Sequence, residues 1–220
     1  YLREKKGIEH ISVYGQSMGS IFAVLVAQYI GGMENLIIVS PTHVPFEGTA
    51  KDKKTMTGRS VVTFKNEDIP FVSADFSKIN ATKYYKHPGA EYKVMGMWIA
   101  YHNAYEDAEE TEKAMLHVEK TGSRVLLIAG HEDEAWPAEY SVREIEKNLK
   151  KTGYEKDVKV IVYPHGSHLN GLMPNRDREK KLYRMIPIIG LMYKTFGKHR
   201  KDNLRYFEES EKEIIDWIML

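Results

Sequence analysis

Cysteine is absent from the 220 residues, which excludes a disulfide framework and a cysteine nucleophile. A long apolar run is missing as well. The longest nearly uncharged stretch, Met185 to Tyr193 with Pro187 inside it, is too short to cross a bilayer and reads as a buried helix or a substrate-facing cap. Neither sign of charge is in excess: Lys plus Arg number 32 and Asp plus Glu 31, so no broad basic field points to nucleic acid. The short basic runs Lys51 to Lys54 and Arg176 to Lys181 read as solvated faces. No internal repeat, low-complexity tract, flexible linker or secretory leader is visible. The expectation is one domain over residues 1–220, with no cofactor or metal, no nucleic-acid partner, and the cytoplasm as default location. Because the chain starts at Tyr1, already inside what reads as a helix, it is expected to be the C-terminal part of a longer protein.

What the sequence does contain is organised around Ile11 to Gly19. β-Branched and aromatic residues lead into Gly15-Gln16-Ser17-Met18-Gly19, and a small, apolar run from Ser20 to Ala27 follows. This predicts strand, tight turn and helix, with a serine at the apex. Residues two before and two after such a serine are expected to lack side chains so that strand and helix can close. Read in order, Tyr1 to Lys6 is a helix end stopped by Gly7, Ile8 to Tyr14 a strand, and Leu36 to Val39 a parallel strand buried on both faces. Residues 41–85 have no clean period and are expected to run over the active-site edge of the sheet. Within them, Val61 to Phe64 reads as a short strand and Ile69 to Val72 as an apolar patch. Helices are expected over Tyr92 to Tyr101 and Glu106 to Val118, and from Ala138 to Lys150 with Tyr140, Ile145 and Leu149 inward. A final helix, Leu204 to Met219, is expected to cover the sheet with Phe207, Ile214, Ile215, Trp217 and Ile218. Val125 to Ala129 and Val158 to Tyr163 supply two more buried strands. The alternation argues α/β architecture, a mostly parallel sheet with helices on both faces.

Three strand ends carry candidate chemistry in the order Ser17, Asp133, His168. Nucleophile, acid, base is the chain order of the α/β-hydrolase triad. A serine hydroxyl needs a base to take its proton as it attacks, and a carboxylate on the far ring nitrogen fixes the imidazole tautomer. The backbone N–H of Met18 would be one oxyanion donor, and a second is expected from a loop after a strand upstream of Tyr1. Glu132 and Glu134 are alternatives to Asp133 as the acid, and His165 is an alternative base. His168 is preferred because Gly166 and Ser167 let a loop deliver its ring into a cleft. The pair His165 and His168 has no further ligand cluster near it in sequence, so no metal site is expected. Gln16, His43 and Trp136 are candidate residues of the substrate rim.

Several segments resemble one family. Leu2 to Tyr14 running into Gly-Gln-Ser-Met-Gly, Ile69-Pro70-Phe71-Val72, Leu127-Ile128-Ala129-Gly130 with Asp133 and Trp136-Pro137, and Tyr163-Pro164 with Gly166 and His168 are similar to the C-terminal catalytic domain of acyl-CoA thioesterases and bile acid-CoA:amino acid N-acyltransferase. The resemblance implies an α/β-hydrolase that cleaves thioesters or esters through a serine acyl-enzyme, with Ser17, Asp133 and His168 as its triad and an acyl ester or acyl-CoA as its small-molecule partner. In the amidating branch the nucleophile is usually cysteine, so Ser17 favours water as acceptor. Ser167 and His131 depart from the residues usual at their positions. Dienelactone hydrolases and prolyl oligopeptidase-like enzymes share much of the pattern, and a non-catalytic binding module on the same fold is the reading from another class.

Overall fold

The computed structural model describes residues 1–50, 55–171 and 188–220. The basic runs Lys51 to Lys54 and Arg176 to Lys181, and the Met185 to Pro187 part of the apolar run, lie outside them. The strands in chain order are β1 (Ser12–Gln16), β2 (Asn35–Val39), β3 (Glu47–Thr49), β4 (Met56–Ser60), β5 (Thr63–Phe64), β6 (Glu67–Asp68), β7 (Tyr84–His87), β8 (Ala90–Met95), β9 (Arg124–Gly130) and β10 (Val158–Tyr163). The helices used below are α1 (Leu2–Lys6), α2 (Gly19–Ile30), α3 (Gly96–Ala104), α4 (Ala108–Ala114), α5 (Ala138–Lys151), α6 (Lys194–Lys198) and α7 (Arg200–Met219).

Four strands form a parallel sheet in the order β1-β2-β9-β10. Side chains alternate across a strand, so β2 and β9, apolar at nearly every position, feed two cores at once. Leu36, Ile38, Val125, Leu127 and Ala129 pack with Ile21 and Val24 of α2 and with Val142, Ile145 and Leu149 of α5. Ile37, Val39, Leu126 and Ile128 point the other way, onto Tyr206, Ile214 and Trp217 of α7. Each such aliphatic side chain stabilises the fold by about 1.5–3 kcal/mol on burial. Helices α2 and α5 share a face because both crossovers advance across the sheet in the same direction, and crossovers are right-handed. The chemistry-bearing turns therefore all leave the carboxyl edge of one sheet.

Between β2 and β9 the chain makes three antiparallel two-stranded ribbons, β3/β4, β5/β6 and β7/β8, followed by α3 and α4. Their shared core is Val44, Phe46, Val72, Ala74, Ala100, Tyr105 and Ala114, and it reaches the nucleophile turn through Met18.

Several local expectations shift. The first strand covers Ser12–Gln16 rather than Ile8 to Tyr14: Gly7 closes α1 in the left-handed region (φ 64°), and exposed Ile8 is taken up by the connection. Of the strand expected at Val61 to Phe64 only Thr63–Phe64 forms, paired with β6, while Met56–Ser60 before it pairs with β3. Tyr92 to Tyr101 is half strand, because Pro88-Gly89 turns β7 back into β8 with His87 opposite Ala90, and the helix starts only at Gly96. The helix expected from Glu106 shortens to Ala108–Ala114, capped by the Asp107 carboxylate, which accepts from the Glu110 N–H at 3.1 Å. Tyr140 is exposed on α5. On α7 the buried stripe is Asn203, Tyr206, Ser210, Ile214 and Trp217, with Ile215 and Ile218 exposed.

The two glycines that flank Ser17 are not equivalent. A Cβ on Gly15 would overlap the Gly19 carbonyl and the Ala23 methyl, where β1 and α2 touch. A Cβ on Gly19 meets nothing within 4 Å. Gly15→Ala is therefore expected to cost about 1–3 kcal/mol of stability. Gly19→Ala, inside the first turn of a helix, is expected to leave stability unchanged or raise it by up to about 1 kcal/mol. Urea midpoints of the two variants measure the difference; equal losses would mean that the strand and helix do not close on Gly15.

Candidate active site

Ser17 sits where β1 passes into α2, and its backbone is held in the left-handed region (φ 58°), costly for a residue with a side chain. The position is over-determined: the Ser17 N–H donates to Val39 O at 2.9 Å, and the Ser17 carbonyl accepts from the Ser20 N–H at 2.9 Å. Met18 follows as the N-cap of α2 in helical geometry, and no side chain caps this helix start. The Ser20 and Ile21 N–H groups donate back to Ser17 O and Met18 O, so among the described residues the amides left for a ligand at the positive end of the helix dipole are those of Met18 and Gly19.

His168 arrives from the loop after β10. Its Nε2 lies 2.8 Å from Ser17 Oγ, and its Nδ1 lies 2.8 Å from Asp133 Oδ2. Asp133 comes from the turn after β9, and its other oxygen, Oδ1, accepts from the Ala135 N–H (2.9 Å) and the Trp136 N–H (3.2 Å). Asp133 is 1% exposed and His168 6%. The structure therefore brings together Ser17, His168 and Asp133. The alternatives go elsewhere: Glu132 Oε1 pairs with His165 Nδ1 at 2.8 Å, outside this line, and Glu134 Oε1 accepts from the Thr195 N–H at 3.0 Å. His165 also has company that its sequence neighbours do not provide, since its ring stacks on that of His199 with centroids 4.3 Å apart.

The surroundings of the ring are built from residues far apart in sequence. The Trp136 indole meets His168 edge to face (centroids 4.9 Å, 88°) and donates from Nε1 to Ser40 O at 2.9 Å. Ser40, also in the left-handed region (φ 44°), donates from Oγ to His168 O at 2.9 Å. Asn203 of α7 accepts from the Ser167 N–H at 2.9 Å and donates to His165 O at 2.9 Å, fixing the loop that carries the base. Glycines let the two loops meet, because a Cβ on Gly130 would overlap Gly166 O.

Two of the three expected rim residues are not at a rim. His43 is 0% exposed. Its Nδ1 lies 3.0 Å from Ser141 Oγ between the rings of Tyr105 and Tyr140, and burial pushes its pKa down to about 3, so it is a neutral core residue. Trp136 is buried too and braces His168. Gln16 is half-buried, its Oε1 accepting from the Tyr14 hydroxyl at 2.9 Å. Glu134 is expected at the site only as an alternative acid, and Ser40 and Asn203 are not expected there from the sequence. Only Ser40 carried a signal, a polar residue just past the end of a buried parallel strand.

Charge around the ring is unusual. Burial opposes a charged His168, but the Asp133 charge, its hydrogen bond and the Glu134 charge outweigh that, and the His168 pKa is raised. Glu134 is itself pushed up to about 7, first by burial and then by the Asp133 charge. A serine hydroxyl, a buried imidazole of raised pKa, a carboxylate with both oxygens engaged and the unpartnered Met18 and Gly19 amides are the groups that nucleophilic acyl chemistry uses.

Over residues 1–172 the chain matches the family described as BAAT / Acyl-CoA thioester hydrolase C terminal. It is 26% identical over 171 residues to acyl-coenzyme A thioesterase 2, mitochondrial, of Rattus norvegicus, an alignment of 76% of this chain and 32% of the relative. To acyl-coenzyme A thioesterase 1 of the same species it is 25% identical over 171 residues, covering 76% and 35%, respectively. The corresponding thioesterase 1 of Mus musculus is 23% identical over 170 residues, again 76% and 35%. The chain spans about a third of the length of these relatives.

Glu134 gives a stability test that needs no substrate. Its folded pKa lies above the value of an unfolded glutamate, so the native state binds its proton more tightly, and that advantage is lost as pH rises through about 7. Glu134→Gln retains an acceptor for the Thr195 N–H and removes the titration. The variant is expected to gain about 1–3 kcal/mol on the wild type between pH 5 and pH 8, read from urea midpoints across that range. A pH-independent difference would mean that Glu134 is ionised throughout.

Proposed function

The chain belongs to the BAAT / acyl-CoA thioester hydrolase C-terminal family, and from that premise we propose that it is a serine hydrolase of acyl thioesters or related carboxylic esters. On this reading residues 1–220 form one unit of α/β-hydrolase fold, with 41–85 lying over its active-site edge. The observation that carries the proposal is the continuous line from Ser17 Oγ through His168 to Asp133, 2.8 Å at each link. The parallel sheet with helices on both faces, the Met18 and Gly19 amides without a partner among the described residues, and the family relationship support it.

In the proposed reaction Ser17 Oγ attacks the thioester carbonyl carbon while its proton passes to His168 Nε2. The tetrahedral oxyanion accepts from the Met18 N–H. The C–S bond then breaks, and the leaving thiolate takes the proton from His168, giving an acyl ester on Ser17. Water adds to that ester as His168 Nε2 takes its proton, the C–O bond to Ser17 breaks, and the serine regains the proton as the carboxylic acid departs. Asp133 stays ionised, holding the imidazole tautomer and stabilising the imidazolium. His168 must be neutral to begin each half-reaction, so its raised pKa places the acid limb of kcat/KM above 6.5, activity rising with pH through it.

With the intact protein, Ser17→Ala is expected to abolish labelling by a fluorophosphonate probe and to lower acyl-CoA hydrolysis by roughly four to six orders of magnitude. His168→Ala should fall into the same range, whereas His165→Ala should keep most of the rate. Equal labelling of wild type and Ser17→Ala would overturn the nucleophile. Rates on an acyl-CoA, a p-nitrophenyl ester and a peptide anilide separate thioesterase, esterase and peptidase, and no turnover of any of them by a probe-silent wild type would favour the binding module. Glu134→Gln removes a nearby negative charge and is expected to move the acid limb to lower pH; an unmoved limb would show that this carboxylate is neutral when the base works.

A further inference from the structure

We propose that Glu132, His165 and His199 form a binding site for one divalent transition-metal ion of the zinc class, which braces the two loops carrying Asp133 and His168. The three residues come from the turn after β9, the loop after β10 and the start of α7, and each offers one ligand atom, all within 4.8 Å of one another. A tetrahedral ion with bonds of about 2.0–2.2 Å separates its ligands by about 3.3–3.5 Å. Closing the triangle therefore takes the rotation of one imidazole and only small movements of the other side-chain ends. Two imidazoles and one carboxylate are a donor set suited to zinc, cobalt or nickel and poorly suited to calcium or magnesium.

Three further observations point to an ion. Glu132 Oε1 is 2.8 Å from His165 Nδ1, but Oε2 is 3.6 Å from His199 Nε2, too long for a hydrogen bond. His199 Nε2 is buried and has no hydrogen-bond partner among the described residues. In the tautomer with the proton on Nδ1, the Nε2 lone pair and the carboxylate oxygen repel across that gap, and a cation between them turns both into ligands. The two rings stack within 8° of parallel, so one must rotate about its χ2 to converge on a common centre. The His165 side chain, 47% exposed on a loop, has room for this. The backbones behind the ligands are meanwhile fixed, because Asn203 Nδ2 donates both to His165 O (2.9 Å) and to His199 O (3.0 Å). Solvent reaches the group on the His165 side, whose ring is half exposed.

The location defines the role. Glu132 directly precedes Asp133, and His165 stands three residues before His168, so a bound ion ties both loops to α7 without facing Ser17. The site is structural and does not depend on the reaction assigned to Ser17.

The test is a titration of the chelator-stripped intact protein with Zn²⁺ against a chromogenic competitor. One equivalent is expected to bind at micromolar concentration or tighter, to raise Tm by on the order of 5 °C at saturation, and to resist excess Mg²⁺ and Ca²⁺. Co²⁺ in its place should give visible d–d bands of a four- or five-coordinate site. His165→Asn and His199→Ala should each weaken binding at least about tenfold. If His199→Ala, at the start of a long helix, does not fold, His165→Asn on the exposed loop carries the comparison. Absence of a tight equivalent, absence of a Tm shift on zinc, or undiminished affinity in His165→Asn would each overturn the site.

Discussion

A buried imidazole that is to carry positive charge has to be met by a carboxylate that is itself held, and the hydrogen bond between His168 and Asp133 is the constraint from which the rest of this structure follows. Neither partner is tolerable alone in the interior, since an isolated buried charge is far more costly than a paired one. Asp133 is stabilised by two amides of its own turn and His168 by the carboxylate, so the pair can sit almost wholly out of water beneath the Trp136 edge. Water exclusion then strengthens every remaining electrostatic contact, including that of Glu134.

The parallel sheet is what makes such a pair possible. Residues on three turns meet because β1, β2, β9 and β10 all end at the same edge, in a register that runs from Val39 opposite Gln16 on one side to Val39 opposite Ile128 on the other. A slip of one residue would invert both cores, because alternate side chains of β2 and β9 serve opposite faces. Ser40, just beyond β2, exploits that edge: it joins the Trp136 indole to the His168 carbonyl and links the loop of Asp133 to the loop of His168.

Much of this is legible in the residues alone, for local reasons. The strand-turn-helix about Ser17, the buried runs Leu36 to Val39 and Val125 to Ala129, and the strand ends at Asp133 and His168 are written in short stretches whose periodicity and turn residues agree. Where neighbours in space decide, the sequence is silent. His43 follows a strand as a rim residue would, yet Tyr105, Tyr140 and Ser141 enclose it, and Trp136 turns inward, where its indole N–H finds the Ser40 carbonyl. Tyr92 to Met95 has apolar spacing that suits helix as well as strand, and only the pairing with β7 decides it. His199 and Asn203 reach the site from the far end of the chain, with no local pattern to announce them.

The long passage between β2 and β9 bears on how the molecule comes to exist. β1-α2-β2 and β9-α5-β10 are each assembled from near neighbours and can form early, whereas the ladder that joins them waits until the intervening ribbons and helices have brought distant residues together. Closing a loop costs entropy that grows only slowly with its length, but it must be met before any contact across the seam is gained. Until then Leu36 to Val39 and Val125 to Ile128 present two unpaired apolar edges. An apolar edge left unpaired is a template for association with another chain, so the seam between β2 and β9 is where delayed closure carries its cost, and Phe46, packed on both Tyr101 and Trp136, ties the intervening segment to the turn after β9.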